Sequence, residues 1–264
     1  FDLIPMEVSI VADLAALQME FPFYFFVQMI GPQLMGEKAA KKFHGYFPIR
    51  FNYDDTYHSS GNMSIQVHPG GEYVRQNNDE LGRQDESYYI VVAGQEAKTY
   101  CGFTEDADID QFIANAKRSE KEKIGFDHDA FVASYPSKPG MQFMIPAGTI
   151  HASGRNQVIL EIGSLTIGSY TYKMYDYLRK DLAGNLRPIH TYHGERVLER
   201  SRRPSWVTSN LIQEPRVCRS GDGWQETIVG QHDLLYFSLR IVRFSSRYED
   251  EASDRFHVLV LVEG

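Results

Sequence analysis

Residues 140–151 read GMQFMIPAGTIH, and this stretch decides the fold. Apolar residues alternate with others from Met141 to Ile145, which predicts a β-strand with one apolar face. A Pro-x-Gly sequence follows and predicts a tight turn, because proline fixes φ and glycine admits angles that other residues avoid. A returning strand then begins at His151, so its imidazole is aimed back over the sheet.

A second stretch, NMSIQVHPGG at residues 62–71, places Gln66 and His68 two positions apart in a strand-like run. Residues i and i+2 of a β-strand point to the same face, so an amide oxygen and an imidazole lie side by side. Ser64 shares this face by the same alternation. Two ligating groups on one face are unusual for a strand whose face packs a core, and they indicate a binding site.

A third strand-like run, SYYIVVAG at residues 87–94, is preceded directly by Glu86. Three separate strands thus supply two nitrogen and two oxygen donors, from Gln66, His68, Glu86 and His151. This donor set suits zinc or another borderline divalent ion, with one position left for water or substrate. Inward side chains of different strands converge inside a β-barrel, so we predict the metal site there.

Short strand-like segments separated by Gly, Pro and Asn recur along the chain. They predict an all-β dominated fold, an antiparallel sandwich or barrel. Between residues 105 and 131 the apolar period becomes helical, with Asp108 as a candidate N-cap, so we expect a helical insertion in the barrel. The sequence contains no P-loop, no HExxH motif and no GxGxxG after a strand.

The composition excludes several classes of protein. Of the 264 residues, 42% are apolar and 23% charged, as in ordinary globular proteins, and the net charge of −8 argues against nucleic acid or an anionic membrane surface as a partner. Cys101 and Cys218 are far apart, which excludes a disulfide framework and suits a reducing cytoplasm. The longest apolar stretch, residues 21–30, is broken by Pro22 and Gln28 and is too short to span a bilayer.

The predicted organisation has consecutive parts that differ in composition. They are an N-terminal helical and strand segment (1–44), a metal-binding barrel (45–194), an Arg-rich linker (195–215) and a truncated second β domain (216–264). In the first part DLAALQMEF is expected to be a helix, and in the last FHVLVLVEG is expected to be a strand. The chain begins at Phe1 without Met, and we expect it to be a piece of a longer protein.

Over about residues 45–195 the chain carries, in this order, MSIQVHP, RQDESYY, IPAGTIHA, ILEIG, YKMYDYLR and RPIH. These motifs resemble those of the cupins and, among them, of the type I phosphomannose isomerases, whose usual runs are close to SxQVHP, GKTExWY, VPAGTxHA, LLEI, YRVYDYDR and RxLH. The helical insertion falls where that family carries one. The resemblance implies a cupin barrel (a double-stranded β-helix or jelly roll), a cupin-like second domain and zinc. It also implies an isomerase that interconverts mannose 6-phosphate and fructose 6-phosphate or close sugar relatives.

The resemblance also implies residue roles. It assigns the four donors above to the metal and Ser64 to sugar-phosphate binding. Gln84 replaces the family's lysine two residues before the ligand glutamate and is expected near the substrate, while Ser169 replaces an acidic residue. Lys173 stands for the arginine of YRVYD, and Arg179 matches the arginine of YDYDR, so both are predicted catalytic and phosphate-binding cations. A lysine offers a point charge where arginine offers a bidentate fork.

Two other classes remain open from the sequence. A metal- and sugar-binding regulatory cupin without turnover is favoured by Gln84 and Lys173. A redox-active iron or manganese cupin is the other, although such proteins more often use His-rich ligand sets. His190 in RPIH is a further candidate site residue, whereas the other histidines outside the ligand set are expected to be structural or solvent-facing.

Overall fold

The computed structural model describes residues 2–3, 9–14, 17–58, 61–80, 82–164, 170–253 and 255–264, so that Ser169 lies outside the described residues. Two antiparallel sheets form the barrel. The first contains, in spatial order, β1 (Asp2–Leu3), β4 (Ile49–Asp55), β11 (Gln157–Ser164), β6 (Glu86–Ala93), β9 (Gln142–Ile145) and β13 (Ile212–Gln213). The second contains β12 (Tyr172–Tyr175), β5 (Ile65–Val67), β10 (His151–Ser153), β7 (Lys98–Phe103) and β8 (Val132–Pro136). The strand-dominated prediction is confirmed.

The helical insertion is present as α4 (Ile109–Glu122), between the paired strands β7 and β8. The side chain of Asp108 accepts a hydrogen bond from the backbone N–H of Gln111 at 3.0 Å, so the predicted N-cap is confirmed. Phe112 and Ala116 are fully buried against the second sheet. Because the helix is inserted between two strands that pair with each other, it covers the second sheet without interrupting the strand pairing of the barrel.

The first sheet has its own helical cover. α1 (Phe23–Met35) and α2 (Glu37–Lys42) precede β4, and Met35 packs in one apolar cluster with Phe47 and Ile49. The apolar side chains of β4 therefore face outward to these helices, and its polar side chains face the barrel interior. Among the described residues, no helix combines the length and apolar character required to cross a bilayer.

Two predictions near the chain ends are wrong. DLAALQMEF is not helical where it is described, because β2 (Ser9–Leu14) and β3 (Leu17–Pro22) pair as an antiparallel hairpin. In FHVLVLVEG, no strand is formed by the described residues 255–264. In both cases the pairing of strands, which apolar periodicity does not contain, decides the outcome: a partner strand is present in the first and none of the described residues pairs with the second.

The segment predicted to be a linker packs against the barrel instead. It contains the end of α5 (Thr191–Val197), α6 (Pro204–Asn210) and β13, which pairs with β9. Val207 and Leu211 are fully buried in the same cluster as Phe143 and Met144. The Arg and Pro content is typical of a linker, but Val207 and Leu211, four positions apart, share one face and are buried on the sheet.

The remaining elements lie outside the two barrel sheets. α3 (Gly71–Asn78) follows β5 after three residues. β14 (Arg216–Gly221), β15 (Trp224–Gln231) and β16 (Ser238–Phe244) form an antiparallel sheet of their own. This sheet begins where the sequence predicts the start of a second β domain, and such a domain over residues 216–264 stays a prediction.

Candidate metal centre

The Pro-x-Gly turn between β9 and β10 joins two of the predicted ligand strands. Gly148 has a φ of 86° and its backbone N–H donates to the carbonyl oxygen of His68 at 2.8 Å. A β-carbon at Gly148 would lie 3.0 Å from the carbonyl oxygen of Val197, so both the backbone angle and the space require glycine. His151 then pairs with Gln66 across β10 and β5, which places both side chains on one face.

A buried carboxylate fixes the same turn to the start of β6. Asp85, which is fully buried, accepts the backbone N–H of Ala147 at 2.8 Å. It also receives two hydrogen bonds from the Arg83 guanidinium, at 2.6 and 2.8 Å. Because Glu86 is the next residue along the chain, this anchor holds Glu86 and the turn before β10 in one fixed relation.

Three predicted ligands converge inside the barrel. The Nε2 atom of His68 lies 2.9 Å from Oε1 of Glu86, and Nε2 of His151 lies 3.2 Å from Oε2 of the same carboxylate. One ligating atom from each of the three residues falls within 4.8 Å of the others. All three side chains are buried. This spacing suits a group that holds one metal ion.

The tautomers of both histidines point to a cation between the three side chains. Nδ1 of His68 contacts the carbonyl oxygen of Tyr170 at 3.0 Å, and Nδ1 of His151 contacts the carbonyl oxygen of Thr149 at 2.8 Å. A carbonyl only accepts, so each Nδ1 carries a proton and each Nε2 is directed at the carboxylate of Glu86. The two Nε2 atoms and the carboxylate are satisfied either by a proton on each ring or by one cation that all three share. The residues therefore fit a divalent metal.

The fourth predicted ligand, Gln66, lies beside this group. Its Nε2 is 3.4 Å from Nε2 of His68, and its Oε1 accepts from the Ser64 hydroxyl at 2.9 Å. A metal requires the amide oxygen, and rotating the amide by half a turn places Oε1 at the position now held by Nε2. The Ser64 hydroxyl both donates and accepts, so its bond to Gln66 survives that rotation.

The electrostatics keep Glu86 ionised. Burial by itself raises the pKa of its carboxyl, but the charges and hydrogen bonds of His68 and His151 outweigh this and hold the pKa well below the ordinary value. An ionised carboxylate is the form that binds a cation.

Gln84 and Tyr170 link two of the ligands. The Gln84 amide donates to Oε1 of Glu86 at 3.1 Å and accepts the backbone N–H of Tyr170 at 2.9 Å. Tyr170 in turn offers its carbonyl to His68. Both ends of the buried Gln84 amide are thus engaged within the protein, and a role in substrate binding stays a prediction.

The predicted cations Lys173 and Arg179 meet at a second buried carboxylate, Asp176. Nζ of Lys173 lies 3.4 Å from Asp176, Nε of Arg179 lies 2.9 Å away, and Nε of Arg187 lies 3.0 Å away. Three cations around one carboxylate leave a positive excess. Lys173 is paired with Gln66 across β12 and β5, so its side chain starts from the same face as the metal ligands.

Lys173 also contacts His190. The backbone N–H of Lys173 donates to Nδ1 of His190 at 3.3 Å. Burial lowers the pKa of Lys173, and Asp176 opposes this. Burial, followed by the Lys173 charge, lowers the pKa of His190 and favours its neutral form. His190 is therefore close to a predicted catalytic residue, and its role stays a prediction.

The sequence interpretation missed Arg50. Nη2 of Arg50 lies 3.0 Å from Oε1 of Glu86 and 3.4 Å from Oε1 of Glu161. Burial and the neighbouring charges of Glu86 and Asp54 raise the pKa of Glu161 well above its ordinary value. Arg50 and Asp54 alternate with apolar residues along β4, which is typical of a solvent-facing strand. The sequence signal that could have indicated charged residues inside the barrel here was the motif ILEIG, whose glutamate is Glu161.

The two antiparallel sheets, with a His–Glu–His group buried between them, define a cupin-type barrel with a candidate metal centre. Comparison with solved structures agrees. The mannose 6-phosphate isomerase of Bacillus subtilis superposes with a TM-score of 0.58 at 22% identity, covering 80% of this chain and 61% of that one. A variant of phosphomannose isomerase from Salmonella typhimurium gives 0.54 at 12% identity, covering 79% and 69%. The predicted cupin fold is confirmed.

Within that class, the sequence is similar to mannose-6-phosphate isomerases. Mannose-6-phosphate isomerase ManA of Bacillus subtilis is 33% identical over 138 residues, covering 52% of this chain and 40% of the relative. The enzyme of Streptococcus mutans is 30% identical over 164 residues, covering 58% and 48%. The predicted resemblance to a divergent type I phosphomannose isomerase is thus confirmed. The match spans less than half the length of either relative. A search of protein-family profiles finds no match.

Proposed function

We propose that the chain forms the metal-binding barrel of an aldose–ketose isomerase. It interconverts mannose 6-phosphate and fructose 6-phosphate, or a close pair of sugar relatives. The observation that carries this proposal is the buried group of His68, Glu86 and His151, whose Nε2 atoms and carboxylate converge. The names of the sequence relatives supply the reaction and the substrate.

We assign zinc to this centre, because imidazole, carboxylate and amide donors with a position left open are typical of zinc. His68, Glu86 and His151 would hold the ion, with Gln66 as the fourth ligand. When bound, a zinc ion polarises a carbonyl oxygen and stabilises negative charge on the sugar oxygens. The protein side chains hold the centre in a buried position that excludes bulk water.

The sugar phosphate is assigned to the cations around Asp176. Lys173, Arg179 and Arg187 exceed that carboxylate by two positive charges, and Lys173 pairs with Gln66 across β12 and β5. Such an excess attracts a phosphate, which Arg179 and Arg187 would hold at a distance from the metal. Lys173, which starts from the same face as the metal ligands, is the candidate proton carrier between C1 and C2, because burial lowers its pKa and favours proton release.

A coupled assay of the purified protein tests this function. We expect mannose 6-phosphate to be converted to fructose 6-phosphate when zinc is present, and turnover to cease after chelation. Glu86→Gln is the control, because it removes the charged ligand and keeps the size of the side chain. Equal turnover by that variant, or none by the zinc-loaded protein on any hexose phosphate, would contradict the proposal.

A second candidate is a regulatory cupin that binds metal and sugar without turnover. Two observations favour it. The Gln84 amide, at the position of a family lysine, is engaged at both ends, and Lys173 is paired with Asp176. Thermal stabilisation by mannose 6-phosphate in a zinc-loaded protein that shows no turnover would select this function.

We place the protein in the cytoplasm. Cys101 is buried and Cys218 is exposed, and both are free thiols. Free thiols suit a reducing compartment, where the phosphorylated hexose substrate would also be met. Localisation of a fluorescent fusion of the complete gene product tests this assignment, and export from the cell would contradict it.

A further inference from the structure

We propose that Arg50 is the fixed cation of the metal centre, where it positions Glu86 and donates hydrogen bonds to an oxygen atom of the bound sugar. This inference deepens the proposed function and rests on it. Arg50 would take over a positive charge that Gln84, in the place of a family lysine, does not supply.

The fold provides a path for the Arg50 side chain. Gly163 of β11 pairs with Arg50 of β4 on one side and with Glu86 of β6 on the other, so the three residues lie abreast on the interior face. A β-carbon at Gly163 would lie 3.4 Å from Nε of Arg50 and 3.6 Å from Cγ of Glu86. Because Gly163 has no side chain, the guanidinium crosses β11 and reaches the ligand.

The guanidinium retains donors for a ligand. It has five N–H groups, and its contacts with Glu86 and Glu161 both use Nη2. Nε of Arg50 is buried, and within the described residues it has no hydrogen-bond partner. A buried donor without a partner is destabilising, and an oxygen atom placed there by a ligand would satisfy it.

Charge and position indicate which part of the substrate Arg50 meets. Its side chain is 13% exposed and contacts a metal ligand directly, whereas Lys173, one of the cations around Asp176, is on β12 of the other sheet. The phosphate is therefore assigned to the arginines around Asp176, and Arg50 is left for the carbonyl or hydroxyl oxygens at C1 and C2. A guanidinium is suited to this position because it stays charged at every relevant pH.

Binding measurements on Arg50→Leu and Arg50→Lys test this inference. In Arg50→Leu we expect the affinity of the zinc-loaded protein for mannose 6-phosphate to fall at least about tenfold. Glycerol 3-phosphate, which has the phosphate but lacks the hexose C1 and C2 oxygens, should bind as it does to the unchanged protein. Zinc affinity, measured against a competing chelator, should fall about tenfold because Glu86 loses its partner.

Arg50→Lys keeps the positive charge but lacks the bidentate geometry of the guanidinium. It also keeps the inference testable if Arg50→Leu fails to fold. It should restore most of the zinc affinity and leave mannose 6-phosphate binding weak. The matched control is Arg155→Leu, which removes an exposed arginine paired with Glu96 and should change neither affinity. Unchanged mannose 6-phosphate binding in both Arg50 variants would overturn the inference.

The outcomes separate this inference from the proposed function. Turnover by the unchanged protein together with normal binding by the Arg50 variants would overturn the role of Arg50 alone. Binding that depends on Arg50 in a protein without turnover would support its role and overturn only the isomerase. A zinc-loaded protein that binds no hexose phosphate would overturn both.

Discussion

Two buried carboxylates, Glu86 and Asp176, organise two parts of the barrel in different ways. Glu86 faces two imidazoles whose Nδ1 protons are committed to backbone carbonyls, and Arg50 is its partner of permanent charge. Asp176 faces a lysine and two arginines. The first carboxylate belongs to a set of donors that suits a cation, whereas the second is surrounded by an excess of positive charge.

The difference shows how one protein builds a cation site and an anion site from the same residue type. At Glu86 the Nε2 atoms of two imidazoles and a carboxylate converge, and this donor set suits a dication. At Asp176 the carboxylate holds cations in place, and their excess charge is available to a phosphate. The partners of each carboxylate, rather than the carboxylate itself, therefore decide what the site binds.

Exchanging each carboxylate for its amide tests this comparison most strongly. Glu86→Gln should lower zinc affinity more than about 100-fold, because a charged ligand is lost from the first coordination sphere. Asp176→Asn should leave zinc affinity unchanged. Competition with a fluorescent chelator measures both. Equal losses in the two variants would show that the sites are not distinct.

The stability of the metal-free protein should depend more strongly on Asp176 than on Glu86, the opposite of the order expected for zinc affinity. Asp176→Asn should lower the free energy of unfolding of the metal-free protein by about 2 kcal/mol, because the surrounding cations lose a buried counter-charge. Urea unfolding measures this change. As a control, Asp55→Asn removes an exposed partner of His58 and should cost only a small fraction of that amount, because water screens an exposed pair. A loss at Asp176 no larger than at Asp55 would contradict its role as an anchor.

The turn before β10 offers a smaller test. Gly148→Ala should cost about 1–2 kcal/mol, because its φ of 86° is unfavourable for alanine, and zinc affinity should fall severalfold as the contact with His68 loosens. Gly140 has a φ of 88°, and a β-carbon at that position would meet no atom within 4 Å. Gly140→Ala should therefore match the strain but keep the zinc affinity, and loss of affinity in both variants would refute the explanation.

The smallest effect is a pH dependence with opposite signs at two carboxyls. The pKa of Glu161 is raised above the ordinary 4.5, so the stability it contributes is present below that value and is lost as pH rises through the folded-state pKa. Glu161→Gln should therefore gain Tm relative to the parent as pH rises from about 4.5 towards 8.

The same scan on Glu86→Gln, extended below pH 4.5, supplies the contrast. The pKa of Glu86 is depressed, so its contribution is present above 4.5 and is lost as pH falls through the folded-state pKa. This variant should lose Tm relative to the parent as pH rises towards 4.5 from below, and the difference should stay constant at higher pH. Both scans are run with chelator present, and slopes of equal sign would contradict the assigned charges.

Much of the fold could be predicted because its determinants are local. The Pro-x-Gly turn, the alternation in β9 and the Asp108 cap each act within a few residues. The hairpin of β2 and β3 was missed although its strands are neighbours in sequence, because the apolar spacing of DLAALQMEF favours a helix and does not contain the strand pairing that decides the outcome. Docking of α6 depends on Val207 and Leu211 meeting the sheet, a contact that the Arg-rich composition conceals.

The residues of the candidate centre also divide into those that could be predicted from the sequence and those that could not. Gln66, His68, Glu86 and His151 could be proposed because their donor chemistry stands out in strand-like runs. Arg50 was hidden, because polar residues that alternate on a strand normally face water. In β4 they face inward, since α1 covers the outer, apolar face. Tyr170 could not be found either, because it contributes backbone atoms alone, and those contacts carry no side-chain signal.

The bond from the Gly148 amide to the His68 carbonyl has a consequence for how zinc enters the protein. Because that bond ties the loop after β5 to the turn before β10, the imidazoles are already positioned in the zinc-free protein. Zinc binding then requires little rearrangement of its ligands. Amide hydrogen exchange around this turn should already be slow in the zinc-free state and should change little on loading.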